Sequence, residues 1–349
     1  MRRIVITAAA AIGAAVLAAG CSSSSPSSSS AGSAGSSSSA ASGPVTVRLG
    51  YLANITHAPA LIAVKNGYFT KALGSAGTLK TSVFTSGTQE TTAILAGQLD
   101  AAYVGPNPAI NAWQKSNGTA IKIVSGAATG GASVVVKPSI TSAAQLKGQS
   151  IATPSLGNTQ DVAVRYWLKQ QGLATSVTGG GDVSIKPTSP NSAAVLEFKS
   201  GQIAGASEPS PYDVQIVKAG GKVLYPEPGV TTVLMVTQSF LSAHPDIVSD
   251  LLKAQVQAND FIKSSPTQAE QVANDQLAAY TGKPIKADIL DQAFKEITFT
   301  NDPDVASLND DANQAVSVGL LKSVKLDGIF DLGPLNTLLA ASGEAQVGA

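Results

Sequence analysis

The sequence predicts an α/β fold of two lobes, joined by a hinge of two crossings and followed by a helical C-terminal region. Three observations carry this expectation. From Pro44 to about Val236, short apolar runs alternate with segments of helical period, the pattern of strands layered with helices. A unit of helix, glycine stop, buried strand and Pro-x-Pro turn occurs twice in that stretch. Beyond Val236 the strand-like runs give way to longer helical segments.

Val45 to Leu49 reads as the first strand and Leu79 to Phe84 as the second, with Ala101 to Val104 and Ile121 to Val124 next. Gln89 to Ala96 is a helix stopped by Gly97, and Asn107-Pro108 opens another through Trp113 and Lys115. The repeated unit is Ile94 to Ala102 leading to Pro106-Asn107-Pro108, then Phe198 to Ala206 leading to Pro209-Ser210-Pro211. Two lobes of related, largely parallel topology would produce that echo. Asp246 to Lys263, Thr267 to Tyr280, Ala287 to Lys295 and Asp304 to Val318 are the later helices, punctuated by Pro266, Gly282-Lys283-Pro284 and Pro303. They form a cap on the first lobe. Crossings between lobes fall near Val136-Lys137-Pro138 and near Thr231 to Val236.

The N-terminal end places the chain outside the cytoplasm. Arg2 and Arg3 precede an apolar run from Ile4 to Ala19, a secretory signal without stop-transfer flanks. Leu17-Ala18-Ala19-Gly20-Cys21 resembles the lipobox of bacterial lipoproteins, although leucine stands one place early. That resemblance implies that Cys21, the only cysteine, is lipidated and forms no disulfide. Two acyl chains anchor stably, at about 0.8 kcal/mol per buried methylene. Ser22 to Gly43 is almost wholly Ser, Ala and Gly, a flexible tether. The expected division is a signal peptide over residues 1–20, a lipid-anchored Ser-rich linker over 21–43, and lobe 1 over 44–137. Lobe 2 spans 138–232, and 233–349 holds the return to lobe 1 with the C-terminal helices.

The 23 basic and 23 acidic residues cancel, and aromatic residues make up 5 % of the chain, which gives no footprint for nucleic acid. His57 and His244 are the only histidines, and no HExxH, CxxC or GxSxG pattern occurs. The sequence therefore predicts neither metal nor cofactor, and a binding protein in place of an enzyme. What recurs is a polar, glycine-containing turn after successive strands, where open α/β sheets bind ligands and helix N-termini offer free N–H groups to an anion. These turns are Asn54 to His57, Ser86-Gly87-Thr88, Gly105-Pro106-Asn107 and Leu156 to Asp161.

Gly50-Tyr51-Leu52-Ala53-Asn54-Ile55-Thr56-His57-Ala58-Pro59-Ala60 resembles the N-terminal signature of the nitrate, sulfonate and taurine group of ABC-importer binding proteins. Gly67-Tyr68-Phe69, Ala96 to Ile110 and Ala152 to Asp161 continue the likeness. It implies a type II periplasmic-binding-protein fold that closes on a small anion or zwitterion and delivers it to ABC permease subunits. Carried over by position, first-lobe contacts fall on Asn54, Thr56, His57, Ser86, Gly87, Thr88, Gly105 and Asn107. Second-lobe contacts fall on Asn158, Thr159 and Gln160, with Glu208 beside the cleft. Relatives often carry tryptophan after Glu-Pro, where this chain has Ser210.

The expected ligand is an aliphatic sulfonate or taurine, held by a monomer. For taurine, Glu208 or Asp161 would accept from the ammonium. The alternatives are nitrate, bicarbonate or a thiamine-type pyrimidine precursor, for which Tyr51, Tyr103 and Tyr212 are the stacking candidates. An enzyme of the pyrimidine-synthase type on the same scaffold is the reading from another class.

Overall fold

The computed structural model describes residues 43–348. The expected signal peptide, Cys21 and all of the tether but Gly43 lie outside the described residues. The chain opens with β1 (Val45–Leu52), a 3-10 turn (Ile55–His57), α1 (Ala58–Lys65) and α2 (Tyr68–Leu73). β2 (Gly77–Phe84), α3 (Gly87–Leu95), β3 (Ala101–Val104), α4 (Pro106–Lys115) and β4 (Ile121–Gly130) follow. The middle stretch holds β5 (Ala132–Val136), β6 (Ser150–Thr153), α5 (Thr159–Gln170) and β7 (Ser184–Pro187). It continues through α6 (Asn191–Lys199), β8 (Gly205–Pro209), α7 (Tyr212–Lys218) and β9 (Lys222–Pro226). The return is β10 (Val230–Thr237), α8 (Gln238–Ala243), α9 (Pro245–Ser264), α10 (Pro266–Thr281) and α11 (Ala287–Lys295). β11 (Ile297–Phe299), α12 (Val305–Ser317) and α13 (Gly333–Ser342) complete it.

These strands form a six-stranded sheet, β11-β4-β10-β3-β1-β2, and a five-stranded sheet, β7-β6-β8-β5-β9. β1 runs parallel to β2 and β3, and β6 parallel to β7 and β8. The sheets are mixed, not largely parallel. Strands beside the crossings enter against the others, so β10 pairs antiparallel with β3 and β4, and β5 with β8 and β9. The echo in the sequence has its counterpart in β3 and β8. Each sits between a parallel neighbour and an antiparallel one, and each is flanked in sequence by helices.

The first crossing comes earlier than Val136 to Pro138. β5 already belongs to the second sheet, so the chain changes lobes at Gly130-Gly131, where φ is +74° and +73°. Both values favour glycine, and a Cβ on Gly131 would stand 2.2 Å from Ile297 Cγ1. The apolar run Ala132 to Val136 follows β4 with one residue between, so the sequence reads as a single continuing strand region. The second crossing lies between β9 and β10, with Gly229 at φ +99°. Gly130 N–H donates to Gly229 O at 2.9 Å, binding the two crossings side by side.

Both faces of each sheet are covered. Val47, Leu49 and Tyr51 alternate along β1 and pack with α1 and α9, while Ala102, Val104 and Ile123 join α4 on the opposite face. In the second sheet Val134 and Val136 face one core and Val135 the other. That alternation follows from the two-residue period of a strand. Among the described residues, no helix is long and apolar enough to cross a membrane.

Candidate functional site

The C-terminal ends of both sheets' parallel strands open onto one cavity. α3 and α4 begin there from the first lobe, α5 and α6 from the second. Its walls include Leu52, Asn54, Thr56 and His57 after β1, Thr85, Ser86 and Gly87 after β2, and Gly105 and Pro108 after β3. The second lobe contributes Pro154, Asn158, Thr159, Gln160, Asn191 and Pro209, and Thr231 comes from the returning strand. The cavity with its solvent-open mouth takes up ≈ 390 Å³, and little of it is left free between the lobes. The lobes are closed on it. Thr88 Oγ1 and Ser155 Oγ share a hydrogen bond at 2.7 Å from opposite sides. A Cβ on Gly105 would stand 2.4 Å from Thr159 Oγ1, so glycine is what lets the lobes approach.

The lining carries no Lys, Arg, Asp or Glu, so its donors are neutral. Leu52 N–H donates to His57 Nδ1 at 3.3 Å, which leaves the ring proton on Nε2. Burial lowers the His57 pKa to about 3, so the ring is uncharged at neutral pH. Thr56 O–H donates to Asn54 Oδ1 at 2.7 Å and accepts from Thr232 at 3.2 Å. Ser86 Oγ accepts the Gln89 N–H at 3.4 Å, capping α3. Asn158 Oδ1 accepts the Asp161 N–H at 3.0 Å, capping α5, while its Nδ2 donates to Gln160 Oε1 at 2.8 Å. The buried Thr159 hydroxyl has no protein partner. Such a set suits an anion that stays ionised: the helix starts supply positive potential, and hydroxyl and amide groups supply hydrogen bonds without proton transfer.

Thr88, Asn107 and Glu208, expected as contacts, stand outside this lining. Thr88 is engaged with Ser155 across the lobes. Asn107 points away, its Nδ2 donating to Asp311 O at 3.2 Å and tying α4 to α12. Glu208 lies behind the wall, accepting from Asn191 Nδ2 at 2.6 Å. Its pKa is raised well above the usual carboxylate range, first by burial, and Asp213 and Glu227 add repulsion. Asp161 is also committed elsewhere: Arg165 Nε at 3.1 Å, Thr153 Oγ1 at 3.0 Å and Gly157 N–H at 2.9 Å surround its carboxylate. The stacking candidates do not face the cavity either. Tyr51 and Tyr103 are fully buried in the first lobe's core, and Tyr103 O–H donates to Gln255 Oε1 at 2.6 Å. Tyr212 O–H donates to Ala53 O at 3.2 Å.

Sequence reasoning missed Thr85, Asn191 and Thr231. Asn191 begins α6 after β7, as Gly87 begins α3 after β2. The signal was present in Pro187-Thr188-Ser189-Pro190-Asn191, a turn of the same kind, but the preceding strand is only four residues long. Among the described residues, no group of three or more His, Cys, Asp or Glu could hold a metal ion.

The fold is that of periplasmic solute-binding proteins. The alkanesulfonate-binding protein of Xanthomonas axonopodis pv. citri, solved with MOPS, superposes with a TM-score of 0.70 at 16 % identity over 84 % of this chain and 100 % of that one. The periplasmic nitrate-binding protein of Synechocystis PCC 6803 gives 0.72 at 16 % identity over 85 % of this chain and 89 % of its own. A protein of Brucella abortus (strain 2308), named as a binding protein, is 26 % identical over 302 residues, covering 80 % of this chain and 88 % of the relative. The model of the NMT1-like family matches residues 40–276. The chain belongs to the NMT1-like family.

Proposed function

We propose that this protein is the extracytoplasmic, lipid-anchored solute receptor of an ABC importer, and that it captures a small anion by lobe closure. An aliphatic sulfonate or taurine is the favoured ligand. The observation that carries this reading is four helix starts, two from each lobe, converging on a closed cavity whose lining has no charged side chain. Asn54, Thr56, His57, Ser86 and Gly105 act from the first lobe, Asn158, Thr159 and Gln160 from the second. Hydrogen bonds to a charged group contribute roughly 1.5–3 kcal/mol each. About four, less the cost of ordering the lobes, account for micromolar binding at about −8 kcal/mol.

A binding role also fits His57 better than catalysis does: with its Nδ1 occupied and its pKa lowered to about 3, the ring is a poor general base. The lack of a Phe, Tyr or Trp side chain in the lining disfavours a stacked pyrimidine. The small cavity gives nitrate a specific claim as second reading, since so narrow a space between the lobes suits a compact anion.

Thermal unfolding of the acyl-free protein with methanesulfonate, taurine, nitrate, bicarbonate and hydroxymethyl-pyrimidine tests the assignment. At a hundred times its dissociation constant the right ligand stabilises by about 2.7 kcal/mol, a rise of several degrees in Tm. Sulfonates should shift the transition. A shift with nitrate alone transfers the function to the second reading, and a shift with the pyrimidine alone overturns both.

A further inference from the structure

We infer that Glu208 is a positioning residue for anion recognition: from behind the wall it sets which end of the Asn191 amide faces the bound ligand. This rests on the anion-receptor reading above and adds to it the group that decides whether this part of the wall donates or accepts. Glu208 stands near the end of β8, is fully buried, and holds its Oε2 at 2.6 Å from the Asn191 side-chain amide. Asn191 is the first residue of α6 and lines the cavity. The two ends of an amide have nearly the same shape, so carboxyl and amide pair in either of two ways. An ionised Glu208 only accepts; it takes the Nδ2 N–H and leaves the Asn191 carbonyl to the cavity, where it repels an anion. A protonated Glu208 donates its O–H to Oδ1, and the amide then presents Nδ2 to the cavity.

The surroundings select the second arrangement. Glu208 Oε1 is buried with no hydrogen-bond partner among the described residues, which costs a carboxylate far more than a neutral acid. Asp213 of α7 and Glu227, just beyond β9, repel a charge there. No cation offsets them: Tyr212 of α7 is a phenol, Ser133 of β5 is engaged with Asp213, and Arg165 of α5 is paired with Asp161. Burial and the two acids hold the Glu208 pKa well above the usual carboxylate range. A protonated Glu208 also resolves a conflict in the site, since an ionised carboxylate directly behind the wall would oppose the anion that the helix starts attract.

Titration calorimetry of the full chain with methanesulfonate and with nitrate, at pH 5, 7 and 9, tests this, because both anions stay ionised throughout. Glu208→Gln keeps an N–H that donates to Asn191 Oδ1, so at pH 5 it should bind within about threefold of the native protein. Glu208→Met fills the space without a donor and should bind about tenfold more weakly. With Asn191→Ala added to each, that gap between the two variants should shrink to about twofold or less. Native affinity should fall as pH rises, by up to about tenfold per unit once Glu208 loses its proton. Glu208→Gln should flatten the fall; the slope it retains belongs to Asp213 and Glu227, which titrate in the same range. Thermal melts at pH 5 check that each variant is folded. Equal affinity of the two Glu208 variants, a gap that persists with Asn191→Ala, or a native profile that is flat or rises with pH overturns the inference and leaves the anion reading standing. If neither anion binds the native protein, both fall.

Discussion

His57 is buried without a charged partner, and that isolation makes its proton a measurable liability. Its folded pKa, about 3, lies below the value of 6.5 in an unfolded chain. The unfolded state therefore takes up the proton first, and the stability of the native state falls as pH drops from about 6.5 toward 3. The slope approaches about 1.4 kcal/mol per pH unit. His57→Gln should remove that contribution, changing the slope of stability against pH between about 4 and 6.5 by up to about 1.4 kcal/mol per pH unit, so that the variant gains relative to the native protein as pH falls, read by urea unfolding. An unchanged slope would mean that the ring is charged in the native state. The neighbouring Thr159 shows a different economy: its buried hydroxyl lacks a protein partner and faces the glycine that admits it. A ligand oxygen is the partner that position suits.

At the scale of elements, what matters is where helices begin. Asn158 both caps α5 and orients Gln160 through its Nδ2. Asn158→Ala should cost about 1 kcal/mol of stability through the lost cap. It should also weaken anion binding about tenfold or more, as read by calorimetry. Loss of stability with unaltered affinity would make Asn158 a cap and nothing else.

The helix starts were the readable part of the site because capping residues, glycine and proline mark them directly: Ser86 before α3, Gly105 before α4, Asn158 before α5. Direction was not readable. Asn107 and Glu208 sit at the right places in the chain, yet α12 draws the first away and burial behind Asn191 holds the second. Short strands hid the rest. β7 and β9 have half-exposed residues and weak alternation, so the turn before α6 went unrecognised.

Across the whole molecule, the less expected property is a set of buried acids near the crossings. Burial first, and then Asp213 and Asp311, push the Glu227 pKa up to about 8, with Ser207 O–H opposing by donating to its carboxylate. Burial likewise pushes Asp213 up to about 7 against hydrogen bonds from Ser210 and Ser133. A folded pKa above the unfolded one means the native state keeps a proton that the unfolded chain releases. Stability from this source is complete below about pH 4 and declines as pH rises toward 8. Urea unfolding between pH 6.5 and 8, above the range in which His57 contributes, should show that decline, and Glu227→Gln should flatten it. A steeper decline in the variant would reverse the sign.

The two-lobed plan itself was legible from the repeated helix–strand–helix unit, because it records how each sheet is assembled. The crossing point was not, since a single glycine between two apolar runs leaves no gap in the pattern. Yet that glycine stands where the chain passes from one sheet to the other. Gly130-Gly131 and Gly229 run side by side, Gly130 N–H donating to Gly229 O at 2.9 Å and Thr231 O–H to Gly130 O at 2.8 Å, so the two strands that join the sheets are tied to each other. A rotation about this tied pair would carry α3 and α4 away from α5 and α6 together.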